Sequence, residues 1–125
     1  MHEAKMNEKP TVTIWGDGTA RREFLYASDF AEMVEVCVER FDDLPGMMNI
    51  GLGHDYSVNE YYAAVARVVG FTGTFDHDLG RPVGMKRKVL DVSRQKQLGI
   101  SARRTLDEGI RETYEYFLKS EGDKA

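Results

Sequence analysis

The chain has 125 residues, 42 % of them hydrophobic and 30 % charged, with a formal net charge of −4 and one cysteine. That is one domain's worth of chain with enough apolar material for a single core, which excludes a disordered composition. The longest apolar run, Tyr61–Ala66, falls far short of the about 20 residues a bilayer span needs, so no membrane partner is expected. Cys37 alone makes no internal disulfide, and the charged start MHEAKMNEK lacks the apolar stretch of a secretory signal; a cytoplasmic setting is expected.

In chain order, Thr11–Trp15 alternates as a half-buried strand, with Val12 and Ile14 on one face. Gly16-Asp17-Gly18-Thr19 is turn chemistry, and Phe24-Leu25-Tyr26 reads as a second extended piece. Phe30, Met33, Val34, Cys37, Val38 and Phe41 then recur on one helical face. Ser28 or Asp29 is the expected cap, with Asp29 and Glu32 spaced as a capping box. Met47–Ile50 predicts a short strand. Ser57-Val58-Asn59-Glu60 is a capping box opening a helix with Tyr61, Ala64, Val65, Val68 and Val69 on its apolar face and Gly70 at its end. Short strands are expected around Phe75–His77 and over Val89–Asp91, and a short helix over Ser93–Leu98. Thr105-Leu106-Asp107-Glu108 opens a last helix carrying Leu106, Ile110, Tyr114, Phe117 and Leu118. The expectation is one mixed α/β (α+β) domain over residues 1–125, with three main helices, short strands and flexible ends over about 1–9 and 120–125.

Charge is uneven. Residues 81–104 hold eight basic residues against one acid, Asp91, so this stretch carries +7 and the remainder −11. A local basic stretch on an acidic chain is either a solvated face or a site for a local anion; it does not suggest nucleic acid. No catalytic motif stands out. Gly16-x-Gly18 is not GxGxxG, the three histidines are far apart with no metal-ligand spacing, and no tyrosine has a lysine four residues on. No catalytic, cofactor or metal residues are therefore assigned. Cys37 reads as a core thiol. What remains are binding candidates. Trp15 either anchors the core or lies against a sugar or base. Arg21 and Arg22, and Arg87 and Lys88 in a Gly/Pro-punctuated loop, are either solvated or turned to phosphate oxygens.

The segments V-T-I-W-G-D-G-T-A-R-R-E-F-L-Y, M-N-I-G-L-G, S-V-N-E, R-K-V-L-D-V-S-R and T-L-D-E-G-I-R-E-T-Y-E-Y-F-L come in an order that closely resembles the C-terminal, substrate-binding part of the GDP-L-fucose synthases. These belong to the extended short-chain dehydrogenase/reductase (NAD-dependent epimerase/dehydratase) superfamily. The resemblance runs over about residues 2–119. It implies an NADP-dependent epimerase-reductase acting on a GDP-sugar, with Trp15, Arg22 and Lys88 serving the nucleotide-sugar, Arg22 towards its phosphates. Arg21 and Arg87 are secondary substrate candidates. The family's cofactor loop, catalytic Ser, Tyr-x-x-x-Lys pair and epimerising Cys and His have no counterpart in this sequence, so no cofactor and no activity are expected of this chain alone. It departs from the family at Val83, Met85 and Lys86, in the family's K-P-D-G-T-P-R-K segment. The rival expectation is a non-enzymatic binding or oligomerising module that reuses the domain. A homo-oligomer is expected through the Phe30–Phe41 helix or the Met47–Ile50 edge.

Overall fold

The computed structural model describes residues 1–122, side chains to residue 120, so most of the tail expected to be flexible lies outside the described residues. The order is α1 (His2–Met6), β1 (Thr11–Trp15), β2 (Arg21–Arg22), α2 (Ala27–Glu39), a 3-10 turn (Phe41–Asp43), β3 (Tyr56–Ser57), α3 (Val58–Val69), β4 (Thr74–Asp78), β5 (Arg87–Lys88), α4 (Ser93–Gln97) and α5 (Leu106–Gly122). This is the mixed helix-and-short-strand architecture that the periodicities predict. The chain forms two compact units. The first comprises Met1–Ala20, Ser57–Lys86 and the chain from Thr105; the second comprises Arg21–Tyr56 and Arg87–Arg104.

In the first unit, β1 and β4 pair in parallel from Thr11↔Thr74 to Trp15↔Asp78. Alternation along β1 buries Ile14 and leaves the threonines outside. Helix α3 begins as expected: Ser57 Oγ accepts from Glu60 N–H at 3.1 Å and the Glu60 carboxylate accepts from Ser57 N–H at 2.6 Å. It ends at Gly70 in the left-handed region. Tyr61, Ala64 and Val69 are buried along its apolar face. The Thr105 capping box also forms, with Thr105 N–H donating to Glu108 Oε2 at 2.8 Å. Arg67 grips Asp107 through two N–H donors, tying α3 to α5. The N-terminal residues add α1, where Ala4 is buried and Lys5 Nζ donates to Val69 O at 2.8 Å.

In the second unit, Met33 and Cys37 of α2 are buried with Ile100, and Leu25, Val36, Leu44, Met48, Ile50, Leu98 and Ala102 pack around them. The core thiol reading of Cys37 holds. Of the apolar residues that recur at helical spacing, α2 buries Met33 and Cys37 and leaves Phe30, Val34 and Val38 exposed, as is Phe41 in the turn that follows. Three expectations are corrected. Asp29 is not a cap. The helix starts at Ala27 with no side-chain cap bond, and Asp29 is buried, accepting from Arg103 N–H, Arg104 N–H and the Arg104 guanidinium. Met47–Ile50 is irregular rather than a strand. Side chains tie it to its neighbours instead: Arg94 Nη1 donates to Met47 O, and the segment's own Asn49 Nδ2 donates to Asp91 O. Finally, the extended pieces fall at Arg21–Arg22 and Arg87–Lys88 rather than Phe24–Tyr26 and Val89–Asp91, because these are the residues that pair with each other.

Candidate functional site

The paired basic residues meet on one ladder. β2 and β5 are parallel, with Arg21 opposite Arg87 and Arg22 opposite Lys88. Side chains along a strand alternate between faces, so the two pairs lie on opposite sides of it. The Arg21–Arg87 pair is taken up by Asp55, which is almost fully buried: Arg21 Nε donates to Oδ1 at 2.9 Å, Arg21 Nη2 to the Asp55 carbonyl at 2.7 Å, and Arg87 Nε to Oδ2. The bond from Arg87 and the charges of both arginines hold the Asp55 carboxyl below its usual range against the opposing effect of burial. On the other side, Arg22 is half-buried and donates to Arg21 O at 2.7 Å, while Lys88 is exposed.

Glu23, next along the chain, stabilises the ladder's end. Its Oε1 accepts from Leu52 N–H at 2.5 Å and Gly53 N–H at 2.9 Å, and its Oε2 from Leu90 N–H at 2.7 Å. Gln95, fully buried, pairs with both backbone groups of Gly51, accepting at 2.9 Å and donating at 3.0 Å. Two side chains, Glu23 and Gln95, thus shape the Gly51–Asp55 loop that presents the Asp55 clamp.

Trp15 belongs to the first unit. It is 68 % exposed, so of its two readings the core anchor fails, and the Arg81 guanidinium sits 5.0 Å from its ring centre. The turn after β1 is closed against α3: Asn59 N–H donates to Gly18 O, and its amide fills the space where a Cβ on Gly18 would lie, 1.9 Å from Oδ1. Gly18 has φ +70°, and the turn leads to β2 rather than into a helix. A dinucleotide pyrophosphate needs open glycine backbone at a helix N-terminus, so these residues do not fit a nicotinamide cofactor. Among the described residues, no three His, Cys, Asp or Glu side chains converge to hold a metal ion, and no helix is long and apolar enough to cross a membrane.

Sequence reasoning found the four cations but missed Asp55 and Glu23. Asp55 sits between Gly53 and the α3 capping box, where an acid reads as turn chemistry. Its partners are 34 and 32 residues away, and no spacing rule points to them.

Comparison with known proteins agrees with the resemblance. The NAD dependent epimerase/dehydratase family pattern matches residues 1–51. GDP-L-fucose synthase of Azorhizobium caulinodans is 48 % identical over 94 % of the chain, which spans 38 % of that enzyme. Among solved structures, a GDP-6-OMe-4-keto-L-xylo-heptose reductase from C. jejuni has a TM-score of 0.81 at 32 % identity, covering 94 % of this chain and 38 % of that one. The GDP-mannoheptose C4 reductase MlghC from Campylobacter jejuni, solved with NADP bound, has a TM-score of 0.76 at 31 % identity, covering 93 % and 39 %. The chain thus spans well under half the length of the proteins it matches. Over residues 1–51 the chain is thus similar to the NAD dependent epimerase/dehydratase family, and over 94 % of its length to a stretch of GDP-L-fucose synthase.

Proposed function

We propose that this chain is the nucleotide-sugar-binding part of a cytoplasmic, NADP-dependent epimerase-reductase acting on a GDP-sugar, and that alone it binds but does not turn over. The register pair Arg22 and Lys88 carries this reading. A guanidinium and an ammonium on one strand face match the charge of a diphosphate, Arg22 as a charged N–H donor and Lys88 as a mobile point charge. Arg21 and Arg87, engaged by Asp55, supply background positive charge rather than first contacts. The exposed indole of Trp15 offers a stacking surface for a base or sugar. The GDP-sugar names of the relatives at 48 % and 32 % identity favour this ligand class. NADP and the groups that move hydride and protons belong, in this reading, to the part of the relatives that the chain does not span.

Calorimetry with GDP, GDP-mannose and UDP-glucose tests it. GDP compounds should bind, and Arg22→Ala should weaken them by about 1.5–3 kcal/mol, roughly ten- to hundredfold, as for a charge-assisted hydrogen bond. Measurable binding that Arg22→Ala leaves unchanged removes the assignment.

A second reading, a module that associates with its own copy, is favoured by one observation. Phe30, Val34 and Val38 form an exposed apolar stripe at helical spacing on α2, and Phe41 in the turn after it is exposed too. A dimer by light scattering that Val34→Glu dissociates supports it, and a monomer at micromolar concentration removes it. The alternative edge at Met47–Ile50 has lost its basis, since no strand forms there.

A further inference from the structure

Four cations occupy all four positions of the β2–β5 ladder, with like charges facing each other at both steps. Like charges directly opposite on neighbouring strands are destabilising unless something negative answers them. At the first step the answer is Asp55, both of whose carboxylate oxygens are used, one by each arginine. Two strands of two residues each specify their own register weakly, because almost no ladder bonds or side-chain alternation hold it. A buried carboxylate gripped from both strands supplies what the backbone lacks.

We propose that Asp55 is the positioning residue of the anion site: by clamping Arg21 to Arg87 on one face, it fixes the register that sets Arg22 beside Lys88 on the other. The proposal rests on the reading above, in which that pair holds the diphosphate of a nucleotide-sugar. It assigns the buried acid a role opposite to the one its charge suggests. Coulomb's law alone makes a carboxylate near an anion site unfavourable for binding, so removing its charge should tighten the anion. Positioning makes the same change loosen it, because Arg21 and Arg87 then repel and the strands lose their alignment. The depressed carboxyl of Asp55 is consistent with a group that stays ionised while it does this work.

The test is calorimetric titration of the full chain with GDP at low salt, using Asp55→Asn, Asp55→Glu, Arg22→Ala and the Asp55→Asn/Arg22→Ala double variant. Asp55→Asn should weaken GDP about tenfold although the chain gains a positive charge. Asp55→Glu, with the charge unchanged and the carboxylate moved by one methylene, should weaken it about threefold. The double variant should bind within about twofold of Arg22→Ala alone, because the clamp acts through Arg22 and the two losses do not add. Unchanged or tighter binding by a folded Asp55→Asn overturns the positioning role and leaves the Arg22 reading standing. If Asp55→Asn fails to fold, unchanged affinity in Asp55→Glu overturns it equally. Losses that add in full mark general structural damage and also overturn it. Absence of saturable GDP binding by the unaltered chain, or no effect of Arg22→Ala, overturns the underlying reading and the proposal with it.

Discussion

Replacing Asp29 by Asn separates two physical roles for one carboxylate. As a helix cap, Asn and Asp are interchangeable, and the substitution would cost close to nothing. The structure places Asp29 elsewhere: it is 2 % exposed and accepts from Arg103 N–H at 3.2 Å, Arg104 N–H at 3.0 Å and Arg104 Nη1 at 2.5 Å. An Asn oxygen can still accept from the two backbone donors. What it loses is the charge facing Arg104, whose side chain is only 24 % exposed. Breaking a buried ion pair by removing one partner costs about 3–5 kcal/mol. Arg104 keeps a second carboxylate, Glu32 Oε1 at 3.2 Å, and the face of Tyr26 at 5.1 Å, which soften the loss. The expected cost is therefore about 2–3 kcal/mol. Urea unfolding followed by circular dichroism reads it directly: with a slope of about 1–3 kcal/mol per molar, the midpoint should fall by roughly 1–2 M. Asp29→Ala, which also strands both backbone donors, should fall further. A midpoint for Asp29→Asn within about 0.2 M of the parent would refute the buried-anchor account and restore the cap.

Other outcomes follow from the same geometry. Gln95→Leu removes both bonds to Gly51 and leaves two buried backbone groups unpaired; a loss of about 2–4 kcal/mol is expected in the same assay, and a neutral result would mean that the loop finds other partners. Ser57→Ala deletes half of the α3 capping box and should cost about 1 kcal/mol, seen as a drop in thermal midpoint. Gly53→Ala puts a Cβ 2.2 Å from Val92 Cγ2 at a φ of +65°, so both contact and backbone oppose it, and at least about 1 kcal/mol should be lost. For pH, Asp55, Asp91 and Asp107 have depressed carboxyls, held down first by the Arg87 side chain, the Ser93 backbone N–H and the Arg67 side chain, respectively. A depressed folded value means stability fully present above the unfolded value near about 4 and lost as pH falls through the folded values. The urea midpoint should thus be flat above about pH 5 and fall below about 4; a midpoint that rises on acidification contradicts this.

The elements legible in the sequence are those whose forces act within four residues. Ser57 with Glu60 and Thr105 with Glu108 announce α3 and α5, Gly70 closes α3, and alternation over Thr11–Trp15 announces β1; each formed where expected. The basic pairs were legible as composition. Their arrangement was not, because register between β2 and β5 is decided by which residues, 66 apart in sequence, face each other. The same reason explains the errors. Asp29 has the spacing of a cap, yet its partners lie 74 and 75 residues away, and a charge in a low-dielectric interior binds more strongly to a guanidinium than to the helix end beside it. Met47–Ile50 has the composition of a strand, but no strand among the described residues pairs with it; Arg94 donates to its Met47 carbonyl, and its Asn49 side chain donates to Asp91 O. Local sequence thus determined the helices and the first strand through short-range hydrogen bonds and periodic burial. Only the tertiary structure decided where Asp29, Asp55, Glu23 and Gln95 spend their hydrogen bonds, because the partners of a buried polar group are chosen by proximity in space, which spacing along the chain does not encode.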